Sequence, residues 1–306
     1  MNPADDPDID QDTVDAIGAL GNRTRLEILL ALANAQRDRQ EQWLTLSFTE
    51  LYEAIDVDST SQFSYHLDRL VGPFVAETPT GYRLTDSGAK IVRTVRAGVY
   101  ESAHSFAAVE LAGVCVVCET PSLVATVEKD RFVVRCRSCE STLLVDLLSR
   151  SQTRNRSATE IVDSVGHRIW STYVLVRGGV CPECYGPIDT AVATVSHETD
   201  ADPWYALEHT CRECWFTVTI PLEVSAAFHP AAIGFFWAHG ISLLDTPLWE
   251  FFEFVVMGTI TTDVTSVEPL VASFELTLDD ETMSLRIDDS FAVTVGRIDG
   301  ESDRTC

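Results

Sequence analysis

Residues 61–85 read SQFSYHLDRLVGPFVAETPTGYRLT. Phe63, Leu67 and Leu70 recur at i, i+4 and i+7, which predicts a helix with one inward apolar stripe. Gln62, Tyr65, His66 and Arg69 recur with the same spacing on another face, flanked by Ser61 and Ser64. Behind the helix, residues 74–85 alternate on both sides of Pro79-Thr80-Gly81, the pattern of a β-hairpin. A polar-faced helix followed by a hairpin is how a winged helix-turn-helix meets DNA. Yet the 306-residue chain has a formal net charge of −25 and a sequence pI near 4.5, and DNA is itself a polyanion.

The charge is unevenly spread. Residues 1–16 hold six acids and no base, and residues 17–103 hold eleven acids against nine bases, a net of −2. The remaining thirty acids and thirteen bases lie beyond residue 103, so the segment that reads as DNA-binding is nearly neutral. Of the 22 basic residues only Lys90 and Lys129 are lysines. Many acids with almost no lysine is the composition expected of a halophilic protein in a cytosol of molar KCl, where salt screens self-repulsion.

Upstream, LGNRTRLEILLALA (20–33) places Leu26, Leu29, Leu30 and Ala33 at helical spacing. LSFTELYEAI (46–55) carries a capping box in Ser47 and Glu50 and a hydrophobic staple in Leu46 and Leu51. A short polar turn, DVDS (56–59), precedes the helix of the opening stretch, where Ser59 and Gln62 form a second box.

On the stretches ALGNRTRLEILLAL, FTELYEAIDVDSTSQFSYHLDRL and GYRLTDSGAKIV, residues 17–100 resemble the winged helix of ArsR-type transcriptional regulators. The resemblance covers about a third of the chain. It implies a dimer reading a DNA palindrome, with flanking helices as the dimer interface, a role that Ile91, Val92, Val95 and Val99 suit. The residues expected at double-stranded DNA are Ser61, Gln62, Ser64, Tyr65, His66 and Arg69 in the major groove and Arg83 on the wing. The family's metal sensors carry cysteines at or near the positioning helix, whereas this chain has none before Cys115, so that sensing site is not expected.

Eight of nine cysteines form four C-x-x-C pairs. Cys115, Cys118, Cys136 and Cys139 make one set, and Cys181, Cys184, Cys211 and Cys214 the other. Two residues between cysteines let both thiolates of a turn meet one ion, and two such turns close a tetrahedral structural zinc site. Two Zn2+ ions are therefore expected, with no open position for catalysis. The sets repeat: GVCVVC (113–118) matches GVCPEC (179–184), and CRSC (136–139) matches CREC (211–214). Each is followed by an apolar strand and a helical segment with His and Trp, so a duplicated ribbon-strand-helix unit is expected, with Cys306 left over.

SRSQTRNRS (149–157) reads as a solvated linker. From residue 254 onward, alternation broken at Glu268-Pro269, Asp279-Asp280 and Asp288-Asp289 predicts a β-meander. The aromatic cluster Phe235, Phe236, Trp237, His239, Trp249, Phe251 and Phe252 is either core or the lining of a pocket for a small-molecule effector. The remaining histidines outside the reading helix are scattered, at His104, His167, His197, His209 and His229, and no serine-hydrolase, zincin, phosphate-loop or dinucleotide motif occurs. No secretory signal or membrane span is evident, so a cytoplasmic, non-enzymatic protein is expected.

The expected fold class is α+β, an N-terminal winged helix-turn-helix followed by two zinc-ribbon-like units and a C-terminal β-meander. The expected domains are an acidic disordered tail over 1–16, a DNA-binding domain over 17–108, the duplicated zinc region over 109–253, a β-rich part over 254–300 and a tail over 301–306. The function expected is a DNA-binding regulator with a zinc-stabilised sensing or interaction module. Two other classes compete with it: a basal transcription factor like the alpha subunit of general factor E, which also joins a winged helix to a zinc ribbon, and a zinc or redox enzyme.

Overall fold

The computed structural model describes residues 9–102, 105–195 and 204–299. His104, His197 and Cys306 lie outside the described residues. The protein is α+β and divides into two units, one formed by residues up to 102 with 149–151, the other by the rest. The first unit therefore ends near residue 102 rather than 108.

The first unit holds helices α1 (Gln11–Leu20), α2 (Arg23–Arg39), α3 (Phe48–Glu53), α4 (Thr60–Asp68) and α5 (Asp86–Ala97), with the antiparallel hairpin β1 (Val75–Thr78) and β2 (Gly81–Leu84) between α4 and α5. The capping box forms: Glu50 N–H donates to Ser47 Oγ at 3.3 Å, and Ser47 N–H donates to Glu50 Oε2 at 2.8 Å. Ser59 caps α4 by accepting Gln62 N–H. Phe63, Leu67 and Leu70 are buried, as are Leu46 and Leu51. Because α2 is packed by α1, α3, α4 and α5, its buried arc centres on Ile28, Leu29 and Leu32, and the expected Leu26, Leu30 and Ala33 sit half-buried at its margins.

The expected disordered tail fails in its inner part, where α1 starts at Gln11. Asp10 caps it by accepting Thr13 N–H at 2.6 Å, Asp12 favours the positive helix start, and Ala19 is buried. At β2, Tyr82 and Leu46 exchange both backbone hydrogen bonds, at 2.8 and 2.9 Å, which adds the segment before α3 to the hairpin. That approach needs a glycine at position 81: φ is 138°, and a Cβ there would lie 2.2 Å from the Leu46 carbonyl oxygen.

The second unit contains an antiparallel sheet of β3 (Val109–Glu110), β4 (Leu123–Glu128), β5 (Arg131–Cys136) and β6 (Thr142–Leu147), in that order. The stretch expected as a solvated linker contains a short helix, α6 (Arg150–Thr153), in which Gln152 and Thr153 are buried. Then come α7 (Ala158–Arg177) and a second antiparallel sheet of β7 (Ile188–Val195), β8 (Trp204–Cys211) and β9 (Thr217–Pro221). Helices α8 (Leu222–Ala227), α9 (Pro230–Ala238) and α10 (Leu248–Val256) lead to a four-stranded meander, β10 (Ile260–Val267), β11 (Leu270–Leu278), β12 (Glu281–Asp288) and β13 (Val293–Asp299). The meander thus begins six residues later than expected, because the apolar end of α10 continues through 254–256.

Two cores share α7. Its first half puts Ile161, Val162 and Val165 against Leu123, Phe132 and Val134 of the first sheet. Its second half puts Trp170, Tyr173 and Val176 against α8, α9, α10 and one face of the meander. The aromatic cluster belongs mainly to these cores: Phe235, Phe236, Trp249, Phe251 and Phe252 are buried, and only Trp237 is largely outside.

Glu223 of α8 is buried in the second core, where its carboxylate accepts hydrogen bonds from Trp204 Nε1 (3.1 Å) and Thr262 Oγ1 (2.8 Å). Burial raises its pKa above the ordinary carboxylate value. The unfolded chain releases this proton first as pH rises, so the folded state then binds more protons and stability falls with rising pH above the ordinary carboxylate range. Glu223→Gln should remove that slope. Thermal midpoints of both proteins across the weakly acidic range check it, and parallel curves would refute it.

Candidate metal centres and a candidate nucleic-acid interface

In the first cysteine set, Sγ of Cys115 lies 3.7 Å from that of Cys139, and Sγ of Cys118 lies 3.6 Å from that of Cys136. In the second, Cys181 and Cys214 are 3.6 Å apart and Cys184 and Cys211 3.5 Å. A disulfide needs about 2.05 Å. A tetrahedron with metal–sulfur bonds of about 2.3 Å has sulfur–sulfur edges of about 3.8 Å. All four sulfurs of each set lie within 4.8 Å of one another, so both sets fit one tetrahedral ion each.

The turns are built alike. The N–H groups of Cys115, Cys136, Cys181 and Cys211 donate to the carbonyls of Thr120, Ser141, Gly186 and Phe216, closing four equivalent loops. The first sulfur of each turn accepts an N–H two residues on, from Val117, Ser138, Glu183 and Glu213, each at 3.4 Å. Such donors favour thiolates. Burial opposes ionisation of Cys136, but N–H groups of Cys139 and Ser138 outweigh it and bring the thiol down to about 6. The N–H groups of Cys214 and Glu213 help bring Cys211 down to about 7, whereas burial pushes Cys115 up to about 12. Each set thus offers thiolates readily, and a cation is needed to hold all four.

In the first unit, the expected reading residues divide. Ser61, Gln62 and Tyr65 are exposed on α4, as is Arg69 at its C-terminal cap, and Ser64 is half-buried. His66 is buried, which corrects its placement at the DNA. At about 100° per residue it falls at the edge of the arc defined by Phe63, Leu67 and Leu70, and packing claims it. The exposed face also carries Asp68. Arg69 stacks over the Tyr65 ring at 5.6 Å, and Arg83 over the Trp43 ring at 5.3 Å. Neither guanidinium has a carboxylate partner among the described residues, whereas Arg23, Arg37 and Arg39 are each salt-bridged. Sequence pattern gives no sign of a role for Trp43, which lies between α2 and α3 with no period to mark it.

The second unit has an open cleft of about 720 Å3 between β6, α7 and β9, lined by Val145, Leu147, Trp170, Tyr173, Val218 and Ile220. It lies away from the α9 aromatics that the sequence pointed to, because the helices and the meander close over those. No helix among the described residues is long and apolar enough to cross a membrane.

These features define a two-unit α+β protein with paired four-cysteine centres. A family model described as a domain of unknown function, DUF7351, matches residues 112–293, more than half of the chain, and the chain belongs to that family. A second domain of unknown function, DUF7347, matches residues 13–95 of the first unit. No curated protein and no solved structure matches the chain.

Proposed function

We propose that the protein is a DNA-binding transcriptional regulator. Its first unit acts as an ArsR-like winged helix-turn-helix, and its second unit is an interaction or sensing module stapled by two structural zinc ions. The observation that carries this reading is a pair of aromatic-backed guanidiniums without a carboxylate partner among the described residues, Arg69 at the end of α4 and Arg83 on the hairpin, in a segment, residues 17–103, whose net charge is only −2. Ser61, Gln62, Tyr65 and Arg69 read the major groove, where Gln suits adenine and Arg suits guanine or phosphate. Arg83 anchors the hairpin on the backbone.

Of the stripe expected at the dimer interface, Val92 is buried and Ile91 packs against the first unit's core, so exposed Val99, with Tyr100 after α5 and Val14 and Ile17 of α1, supplies the contacts of a homodimer. Zinc is assigned because four thiolates at tetrahedral spacing suit it and leave no open position, which also makes an enzyme the weaker reading. An apolar effector would enter the cleft between β6, α7 and β9.

The test is selection from random duplex DNA by the metal-loaded protein in about 2–3 M KCl, where screening is nearly complete. One palindromic motif is expected. Replacing both Gln62 and Arg69 by Ala should weaken its binding about 30-fold or more. The salt slope should be shallow, since counterion release contributes little there. An unchanged motif and affinity in the double variant would sink the assignment of α4. No motif from folded, metal-loaded protein would favour a basal factor resembling the alpha subunit of general factor E.

A further inference from the structure

Each of the four cysteine turns ends on a residue with left-handed backbone, and none of the four is glycine: Glu119 (φ 56°), Glu140 (φ 61°), Tyr185 (φ 64°) and Trp215 (φ 62°). Glycine takes this conformation at no steric cost, whereas a bulky side chain there is an outlier that something else sustains. The two repeats differ at these positions. The first carries glutamate at both, and the second carries two aromatics. Those aromatics are not spent in a core: Tyr185 is 67% exposed and Trp215 59%.

The two turns of the second repeat meet. A Cβ on Gly186 would lie 2.7 Å from Cγ of Glu213 and 3.2 Å from Sγ of Cys184, so the Glu213 stem crosses the backbone beside Tyr185. The turns are also held stiffly, with Glu183, Gly186 and Glu213 N–H groups each 3.4 Å from a cysteine sulfur. Rigid, exposed Tyr and Trp lose little freedom when a partner covers them, and these are the residue types that dominate interface energies.

The surrounding charge selects the partner. Glu183 and Glu213 are exposed, and neither is ion-paired among the described residues. The one base on these turns, Arg212, is held bidentate by Asp189. Two exposed aromatics and two exposed carboxylates carried on the same pair of adjoining turns suit a flat cation that stacks and accepts a counter-charge, which is a guanidinium rather than an ammonium. The same carboxylates repel a phosphate backbone.

We propose that the paired cysteine turns of the second repeat form a docking surface for an arginine-bearing polypeptide segment, with the guanidinium against Tyr185 and Trp215 and its charge met by Glu183 and Glu213. This does not depend on the first unit's reading of DNA. Apolar stacking lets the contact persist in high salt, where an exposed ion pair alone would fade.

The test uses the full, metal-loaded chain and a fluorescent peptide, Gly-Ser-Arg-Gly-Arg-Gly-Arg-Ser-Gly, followed by anisotropy in about 2 M KCl. A peptide with citrulline for arginine removes the charge and keeps the shape. The arginine peptide should bind and the citrulline peptide should not. Y185E/W215E, which installs what the first repeat carries on the same backbone, should weaken binding about tenfold or more, the effect of losing an interface anchor. E183Q/E213Q should also weaken it. Metal content and melting temperature serve as controls. If Y185E/W215E loses metal, W215F and W215L are compared at equal metal content, and Phe should retain binding that Leu loses. Failure of the arginine peptide to bind, equal binding of both peptides, or no effect of the aromatic variants, would overturn the proposal. So would tighter, Trp215-dependent binding of a single-stranded oligothymidylate, which would make the surface one for nucleic acid.

Discussion

Replacing Cys181 by serine should remove one of two metal ions and unfold the second repeat. Cys181 is fully buried, and Cys211 of the same set ends β8, paired in register with Ile188 of β7. The sheet that lines α8 is therefore tied to the four-cysteine set at its root. A structural zinc ion contributes on the order of 10–16 kcal/mol in small peptides, while whole domains are stable by about 5–15 kcal/mol. Even a fraction of the metal's contribution exceeds what the small second sheet can replace. Serine offers a weaker ligand to zinc and leaves a polar group where a thiolate was enclosed. Metal analysis and thermal melts of C181S beside the parent protein read the effect, and an unchanged melt with both ions retained would show that the cysteines are not structural ligands.

Phe63→Ala should bring the first unit close to unfolding, while Gln62→Ala, one residue away, leaves stability within about 0.5 kcal/mol. Phe63 is fully buried and meets Phe48 edge-on at 4.9 Å and Tyr52 at 5.5 Å. Truncating a core Phe costs about 3–5 kcal/mol, with about 0.5–1.5 kcal/mol more for each aromatic pairing it takes away. That is a large share of a unit of this size. Chemical denaturation should give the two variants well-separated midpoints, and overlapping curves would mean that the outward and inward faces of α4 are assigned wrongly.

Much of this architecture is legible in the residues. Capping signals at Ser47 and Ser59 placed the starts of α3 and α4 to within a residue, because side-chain caps are local chemistry, whereas α4 ends at Asp68, short of the expected 71. The cysteine spacing placed both four-sulfur sets, because two-residue gaps leave few other geometries. The meander's turns followed from Glu268-Pro269 and Asp279-Asp280. What escaped the sequence depends on distant packing. His66 shares the period of the exposed face, yet the core beneath Phe63 and Leu70 reaches it. Trp43 acquires its place only when β2 folds back beside Leu46. The left-handed turns at Tyr185 and Trp215 were hidden because the spacing of the cysteines is blind to the backbone that follows them. The cleft between β6 and β9 comes from how two repeats share a helix, which no single segment encodes.

That shared helix links the two metal sites. At about 1.5 Å per residue, the 20 residues of α7 run about 30 Å, and neither repeat completes its core without them. Trp249 of α10 crosses in the other direction, packing into the first core while Phe251 and Phe252 fill the second. Metal held by one four-cysteine set would order a rod that the other repeat also packs against, so loading one set is expected to favour loading the other, by reciprocity equally in both directions. Titrating metal into the stripped protein is therefore expected to fold the second unit in one step rather than repeat by repeat.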